Sequence, residues 1–174
     1  LKTDLMNQYG VEVGLRKAIQ NKQWKIYYQP KFDSFNLIYG FEALIRWNHP
    51  QRGLISPLEF IPVAERSDQI KEIGKYVIDT VCMQTKKWVD AGHNLTGSIN
   101  LSAKQLEEGS IVTDLKNSLE YYQLDPKYLE LEITESVMIK NEKKNIDTLN
   151  KIKDIGLFLS IDDFGAGYSS FNYL

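Results

Sequence analysis

Two adjacent carboxylates, Asp162 and Asp163, lie between a short apolar run, Gly156 to Ile161, and the glycine-rich segment FGAGYSS. The apolar run predicts a buried strand and the glycines a sharp exit, so the acidic pair belongs at a strand's C-terminal end. Carboxylates in such a place are costly to desolvate unless a cation or dense hydrogen bonding compensates them. Two earlier strand-like runs also carry an isolated polar residue near that end, Asn100 in SINLS and Glu132 in LELEITE. From Asn100 to Glu132 to Asp162 the intervals are 32 and 30 residues, close to the length of one strand–helix unit. In a barrel or an open parallel sheet the C-terminal strand ends form a shared rim, where sites assemble from several strands. Glu42, near the end of an earlier strand, is a fourth candidate, and Leu44 and Arg46 share its face because side-chain direction repeats every two residues.

Glu42, Asn100, Glu132 and Asp162 offer only oxygen, which suits magnesium, manganese or calcium better than zinc or copper. Asp163 lies where the chain turns and can serve a second cation. Two cations about 4 Å apart activate water and stabilise charge on oxygen in phosphoester hydrolysis, and Arg46 suits a phosphate oxygen. Taken singly, each residue has a plainer reading: Asn100 as a satisfied core amide, Glu132 as the partner of a surface lysine, the aspartates as turn caps. The DFG at Asp163 to Gly165 also occurs in protein kinases, but no glycine-rich loop, VAIK-like strand or HRD loop accompanies it.

These residues need a scaffold, and the hydrophobic pattern supplies one. Residues 1–23 read as an amphipathic lead-in helix or a linker, with the main domain over 24–174. Trp24 to Phe32 and Leu37 to Trp47 read as two strands joined by a short link and therefore antiparallel. His49 to Ile55 reads as loop. Ser56, Pro57 and Glu59 predict a capped helix start, bent or interrupted near Pro62. A longer helix is expected from Ile70 to Ala91, stopped by Gly92. Strand and helix then alternate: strands at Leu95 to Leu101, Leu129 to Ile133 and Leu157 to Ile161, helices at Thr113 to Tyr122 and Asn145 to Ile155. That alternation predicts an α/β fold with parallel units and about five strands in all.

Composition sets the outer limits. The chain has 174 residues, 43% hydrophobic and 25% charged, which is ordinary for a globular domain. With 23 acidic against 21 basic residues there is no basic surplus to favour duplex nucleic acid. Cys82 is the sole cysteine, so no intramolecular disulfide forms, and a reducing compartment fits. No stretch approaches the length of a membrane span and no signal-peptide pattern opens the chain. The expectation is a cytoplasmic domain without direct membrane insertion, either free or as the cytoplasmic part of a larger or membrane-anchored protein.

Several of these segments together resemble the EAL family of cyclic di-GMP phosphodiesterases. The name is spelled by Glu42, Ala43 and Leu44 in EALIRW, and the likeness extends through YYQP at 27–30, WNHPQRGLISPLEFIPVAE at 47–65, SINLS at 98–102, LEITE at 131–135 and DDFGAGYSS at 162–170. Order and spacing make the match specific. The resemblance implies a TIM-like (β/α)8 barrel, present here in part, whose first strand is antiparallel, and hydrolysis of cyclic di-GMP to linear pGpG. It assigns Glu42, Asn100, Glu132 and Asp162 to a first Mg2+ or Mn2+ and Asp163 to a second. Gln29, Leu44 and Arg46 would contact the dinucleotide, Phe164 to Ser169 would respond to substrate and dimer state, and Glu135 would anchor that loop. A homodimer and an upstream sensor or cyclase domain are further implications. Family members continue through about three more strands bearing a lysine, a glutamate and a glutamine of the catalytic centre, so the 174-residue chain alone is expected to be inactive. The alternative is a non-catalytic EAL domain that binds cyclic di-GMP or a protein partner and signals without hydrolysis.

Overall fold

The computed structural model describes residues 2–134 and 142–162. The alternating pattern folds into one mixed sheet with helices packed on one of its faces. The strands are β1 (Trp24–Phe32), β2 (Ile38–His49), β3 (Gly53–Ile55), β4 (Thr96–Asn100), β5 (Leu129–Thr134) and β6 (Phe158–Asp162). Their order is β1-β2-β4-β5-β6, with β3 attached to β2. β1 runs antiparallel to β2, whereas β2, β4, β5 and β6 are mutually parallel. This is the expected α/β arrangement with an antiparallel first strand, a partial TIM-like barrel.

β3 departs from the expected loop. Residues 49–55 turn back so that Trp47 pairs with Ile55 and His49 with Gly53. The cause is local: His49 Nδ1 accepts the backbone N–H groups of Gln51 and Arg52, both at 3.1 Å. Gly53 takes a left-handed φ of 70°, a conformation glycine adopts without cost.

The helices are α1 (Lys2–Gln20), α2 (Pro57–Arg66), α3 (Ile70–Asp90), α4 (Ala103–Glu108), α5 (Ile111–Tyr122) and α6 (Glu142–Ile155). α3 ends just ahead of Gly92, as its pattern predicts. At α2 two expectations fail. Ser56 stands at the cap position but its side chain accepts no capping bond, and Glu59 turns to Arg52 at 2.5 Å instead. Pro62 lies inside the helix without breaking it. The carbonyl that loses its partner there is that of Leu58, which is 89% exposed and open to water. A capping box does form at α4, a helix not anticipated: Ser102 Oγ accepts from Gln105 N–H at 3.4 Å, and Gln105 Oε1 accepts from Ser102 N–H at 3.2 Å.

The sheet has two different faces. On one, Trp24, Phe41, Ala43, Trp47, Ile99, Leu129, Leu131 and Ile133 are buried, together with Ile73, Val77, Ile78 and Val81 of α3 and Leu115 of α5. Val11, Leu15 and Ala18 of α1 join the same core. Burial of this apolar surface is what holds the parallel strands in register. Cys82 belongs to this core, and burial pushes its thiol up to about 12. It is therefore expected to resist Ellman's reagent at pH 8 in the native state and to react fully in guanidinium chloride. Rapid native labelling at the unfolded rate would contradict that placement.

Candidate metal and phosphate site

The other face of the sheet carries the chemistry. Register places Gln29 of β1 opposite Glu42 of β2, Glu42 beside Ser98 of β4, and Ser98 beside Glu130 of β5. One step along the strands, Asn100 of β4 pairs with Glu132 of β5, and Glu132 with Ser160 of β6. Since alternate residues share a face, Gln29, Lys31, Glu42, Ser98, Asn100, Glu130, Glu132 and Ser160 all line the side away from the helices. A polar row across four parallel strands, opposite an apolar row, is what an enclosed barrel interior demands at its active end.

Within the row two groups form. Nearer the strand ends, Asn100 Nδ2 donates to Glu42 Oε1 at 2.7 Å, joining β2 and β4 across 58 residues of sequence. Nearer the strand starts, Lys31 Nζ donates to Ser98 Oγ at 2.9 Å, to Glu130 Oε2 at 2.7 Å and to Glu132 Oε1 at 2.7 Å. Ser98 Oγ in turn donates to Glu130 Oε2 at 2.5 Å. Glu132 belongs to both groups, by its bond to Lys31 and by its place beside Asn100. Lys31 reaches β4 and β5 from β1 because its partner on the intervening strand is Gly40. A side chain at Gly40 would stand 2.5 Å from the Thr96 carbonyl oxygen.

Electrostatics separates the two glutamates. Burial raises the Glu132 carboxyl, Lys31 offsets that in part, and the negative charges of Glu42 and Glu130 raise it further, so it lies above the usual carboxylate range. Burial acts on Glu130 too, but hydrogen bonds from Lys31 and Ser98 outweigh it and hold that carboxyl below the range. The Lys31 ammonium, which burial alone would depress, is held above the ordinary lysine value by the same two carboxylates. Glu132 is thus paired with the Lys31 ammonium yet still pushed upward by burial and by its anionic neighbours Glu42 and Glu130.

The donor set fits a hard cation in kind: two carboxylates and an amide oxygen, with no thiolate or imidazole. Among the described residues no three Asp, Glu, His or Cys side chains are close enough to hold a metal on their own; here Asn100 is the third member. The backbone of Asp162 ends β6, level with Thr134. Asp163, Glu135 and Phe164 to Ser169 lie outside the described residues. Arg46 is on the same face as Glu42, half-buried, with its guanidinium carbon 5.9 Å from the Tyr27 ring centroid and Nη1 donating to Ile45 O at 2.9 Å. A cavity of about 460 Å³ opens chiefly on the helix side of the strand ends, lined by residues such as Ile73, Val77, Ile99 and Leu131, and meets the polar face at Leu44 and Asn100.

Lys31, Ser98 and Glu130 were not among the residues singled out from sequence. Their signal was the strand period itself: each stands two positions from a chosen residue, Gln29, Asn100 and Glu132 respectively. The alternation in LELEITE puts Glu130 and Glu132 on one face, which the strand-end criterion overlooked.

The family profile described as EAL domain matches residues 12–174. The chain belongs to the EAL domain family. Among curated relatives it is 41% identical over 162 residues to the bifunctional diguanylate cyclase/cyclic di-GMP phosphodiesterase MucR of Pseudomonas aeruginosa, covering 92% of this chain and 24% of MucR. It is 40% identical to the cyclic di-GMP phosphodiesterase PdeR of Escherichia coli K12, covering 94% of this chain and 25% of PdeR. This EAL chain therefore spans about a quarter of the length of these relatives. Among solved structures, a complex of the PaMucR phosphodiesterase with c-di-GMP matches with a TM-score of 0.88 at 40% identity, covering 92% of this chain and 66% of that one.

Proposed function

We propose that this EAL domain belongs to a metal-dependent phosphodiesterase that hydrolyses cyclic di-GMP to linear pGpG. The observation that carries the reading is the row of Glu42, Asn100 and Glu132 on one sheet face, with Asn100 hydrogen-bonded across strands to Glu42 and paired in register with Glu132. Its relatives MucR and PdeR are described as cyclic di-GMP phosphodiesterases, which supports the same substrate here.

In this reading Glu42, Asn100, Glu132 and Asp162 hold a first divalent cation and Asp163 takes part in a second, Mg2+ or Mn2+ by the hardness of the oxygen set. Bound there, the cations supply a water nucleophile at neutral pH and neutralise charge on phosphate oxygens. The chain's own residues do the positioning. Asn100 orients the Glu42 carboxylate, Arg46 offers a fixed fork for a phosphate oxygen, and Gln29, level with Glu42 on β1, donates to a polar group of the dinucleotide. Leu44 gives an apolar contact at the edge of the adjoining cavity.

The test is Mg2+-dependent conversion of cyclic di-GMP to pGpG by the full-length protein that carries this chain, followed by chromatography. Conversion that stops on chelation with EDTA is the expected result. Tight dinucleotide binding without conversion would replace the enzyme with a receptor, and neither binding nor conversion would remove the substrate assignment.

A further inference from the structure

The ammonium of Lys31 occupies a place that three oxygens already surround: Glu130 Oε2 and Glu132 Oε1, each at 2.7 Å, and Ser98 Oγ at 2.9 Å. All four groups are largely shielded from water. The Lys31, Glu130 and Glu132 side chains are 22%, 16% and 9% exposed, and Ser98 is fully buried. Two carboxylates and a hydroxyl around a single positive charge are also what a hard divalent cation selects. Without Lys31 this lower group would compete for a cation with Glu42 and Asn100 above it, and Glu132 is the residue both would claim.

We infer that Lys31 is a positioning residue: it fills the lower group as a built-in cation, fixes Glu132 by Oε1, and so confines divalent metal to the upper group of Glu42 and Asn100. The inference rests on the proposed role of Glu132 as a metal ligand. Three features are explained together. Lys31 spans from β1 to β5 past Gly40, which delivers its charge to Glu130 and Glu132. Ser98 adds a neutral oxygen to Glu130, so that carboxylate is satisfied without a metal. Glu132 is bound through one oxygen, which leaves Oε2 for the cation beside Asn100. Partners that orient a ligating carboxylate from behind are typical of metal sites, and their loss costs about 10–100-fold in affinity or activity.

The experiment counts Mn2+ bound to the full-length protein by electron paramagnetic resonance of the free ion, in wild type, Lys31→Met, Lys31→Gln, Lys31→Arg and Glu42→Gln. Lys31→Gln keeps a donor toward Glu132 and guards against misfolding of Lys31→Met, with circular dichroism as the check. Both uncharged variants are expected to bind one more Mn2+ per chain than wild type, with the original site weakened about 10-fold and kcat lowered by a similar factor at unchanged KM. Lys31→Arg keeps the wild-type count, and adding Glu130→Gln to Lys31→Gln restores it. A purely structural role for Lys31 would leave the count unchanged, so an unchanged count in a folded uncharged variant overturns the inference. If wild type binds no Mn2+ saturably, or Glu42→Gln binds it as well as wild type does, the metal reading itself falls and this assignment falls with it.

Discussion

Glu42→Ala is expected to abolish hydrolysis of cyclic di-GMP by the full-length protein, with a loss of about 4 kcal/mol of transition-state stabilisation, or roughly three powers of ten in rate. The residue is half-buried on the open face of β2, its strand neighbours Phe41 and Ala43 carry the packing, and among the described residues its hydrogen-bonded partner is Asn100. Removing it therefore leaves the core intact while deleting one anionic donor and releasing Asn100. Mn2+ affinity measured alongside turnover should fall in the same variant, with the circular dichroism spectrum unchanged. Glu42→Gln separates the two contributions, since its amide oxygen can still accept from Asn100 Nδ2 but carries no charge. If charge toward a cation is what matters, Gln behaves as Ala does. If Gln behaves as wild type, Glu42 serves only to orient Asn100, and unchanged turnover in Glu42→Ala would refute the metal role altogether.

The parts of this domain that were legible in the sequence are those governed by periodicity and by strand ends. Asn100 and Glu132 are read as strand-end partners because successive parallel strands joined by a helical connection tend to lie side by side, and the register pairs them directly. Glu42 follows from its strand position, whereas Gln29 came only from the family resemblance; the antiparallel register of β1 with β2 sets the two opposite each other. The Lys31 group was missed for the opposite reason. A lysine on β1 has no local pattern that says it will cross β2, and the fact that it does depends on Gly40 lying opposite, a coincidence of register rather than of sequence. The hairpin at 49–55 was hidden because its stabilisation comes from a histidine side chain accepting two nearby backbone amides, a local substitute for familiar turn residues. At α2 the Glu59 side chain is engaged by Arg52 and so does not return to the helix start, and Ser56 makes no side-chain cap bond, whereas the Ser102 and Gln105 pair closes both halves of the box.

Trp47→Ala is expected to be the most damaging single change to stability, about 3–5 kcal/mol by analogy with other buried aromatic truncations. Its indole is 1% exposed, its ring centroid lies 5.9 Å from Trp24, 6.1 Å from Phe60 and 5.1 Å from His49, and Nε1 donates to Gln23 Oε1 at 3.1 Å. The packing extends to α1, where a side chain at Gly14 would come within 2.7 Å of the Trp47 ring. Truncation therefore opens a cavity where β1, β2, α1 and α2 meet and strands the Gln23 amide as well. For a domain of this size the melting temperature should fall by about 10 °C, read by circular dichroism, with Trp47→Phe losing much less because the ring is largely retained. Trp47 faces the helices, however, while Glu42 and Asn100 face away. Below its melting temperature the variant should keep Mn2+ affinity within about twofold of wild type, as expected for independent sites. A variant that melts normally, or one that stays folded yet loses the metal, would show that the two faces of the sheet are not the separate structural and chemical layers their alternation implies.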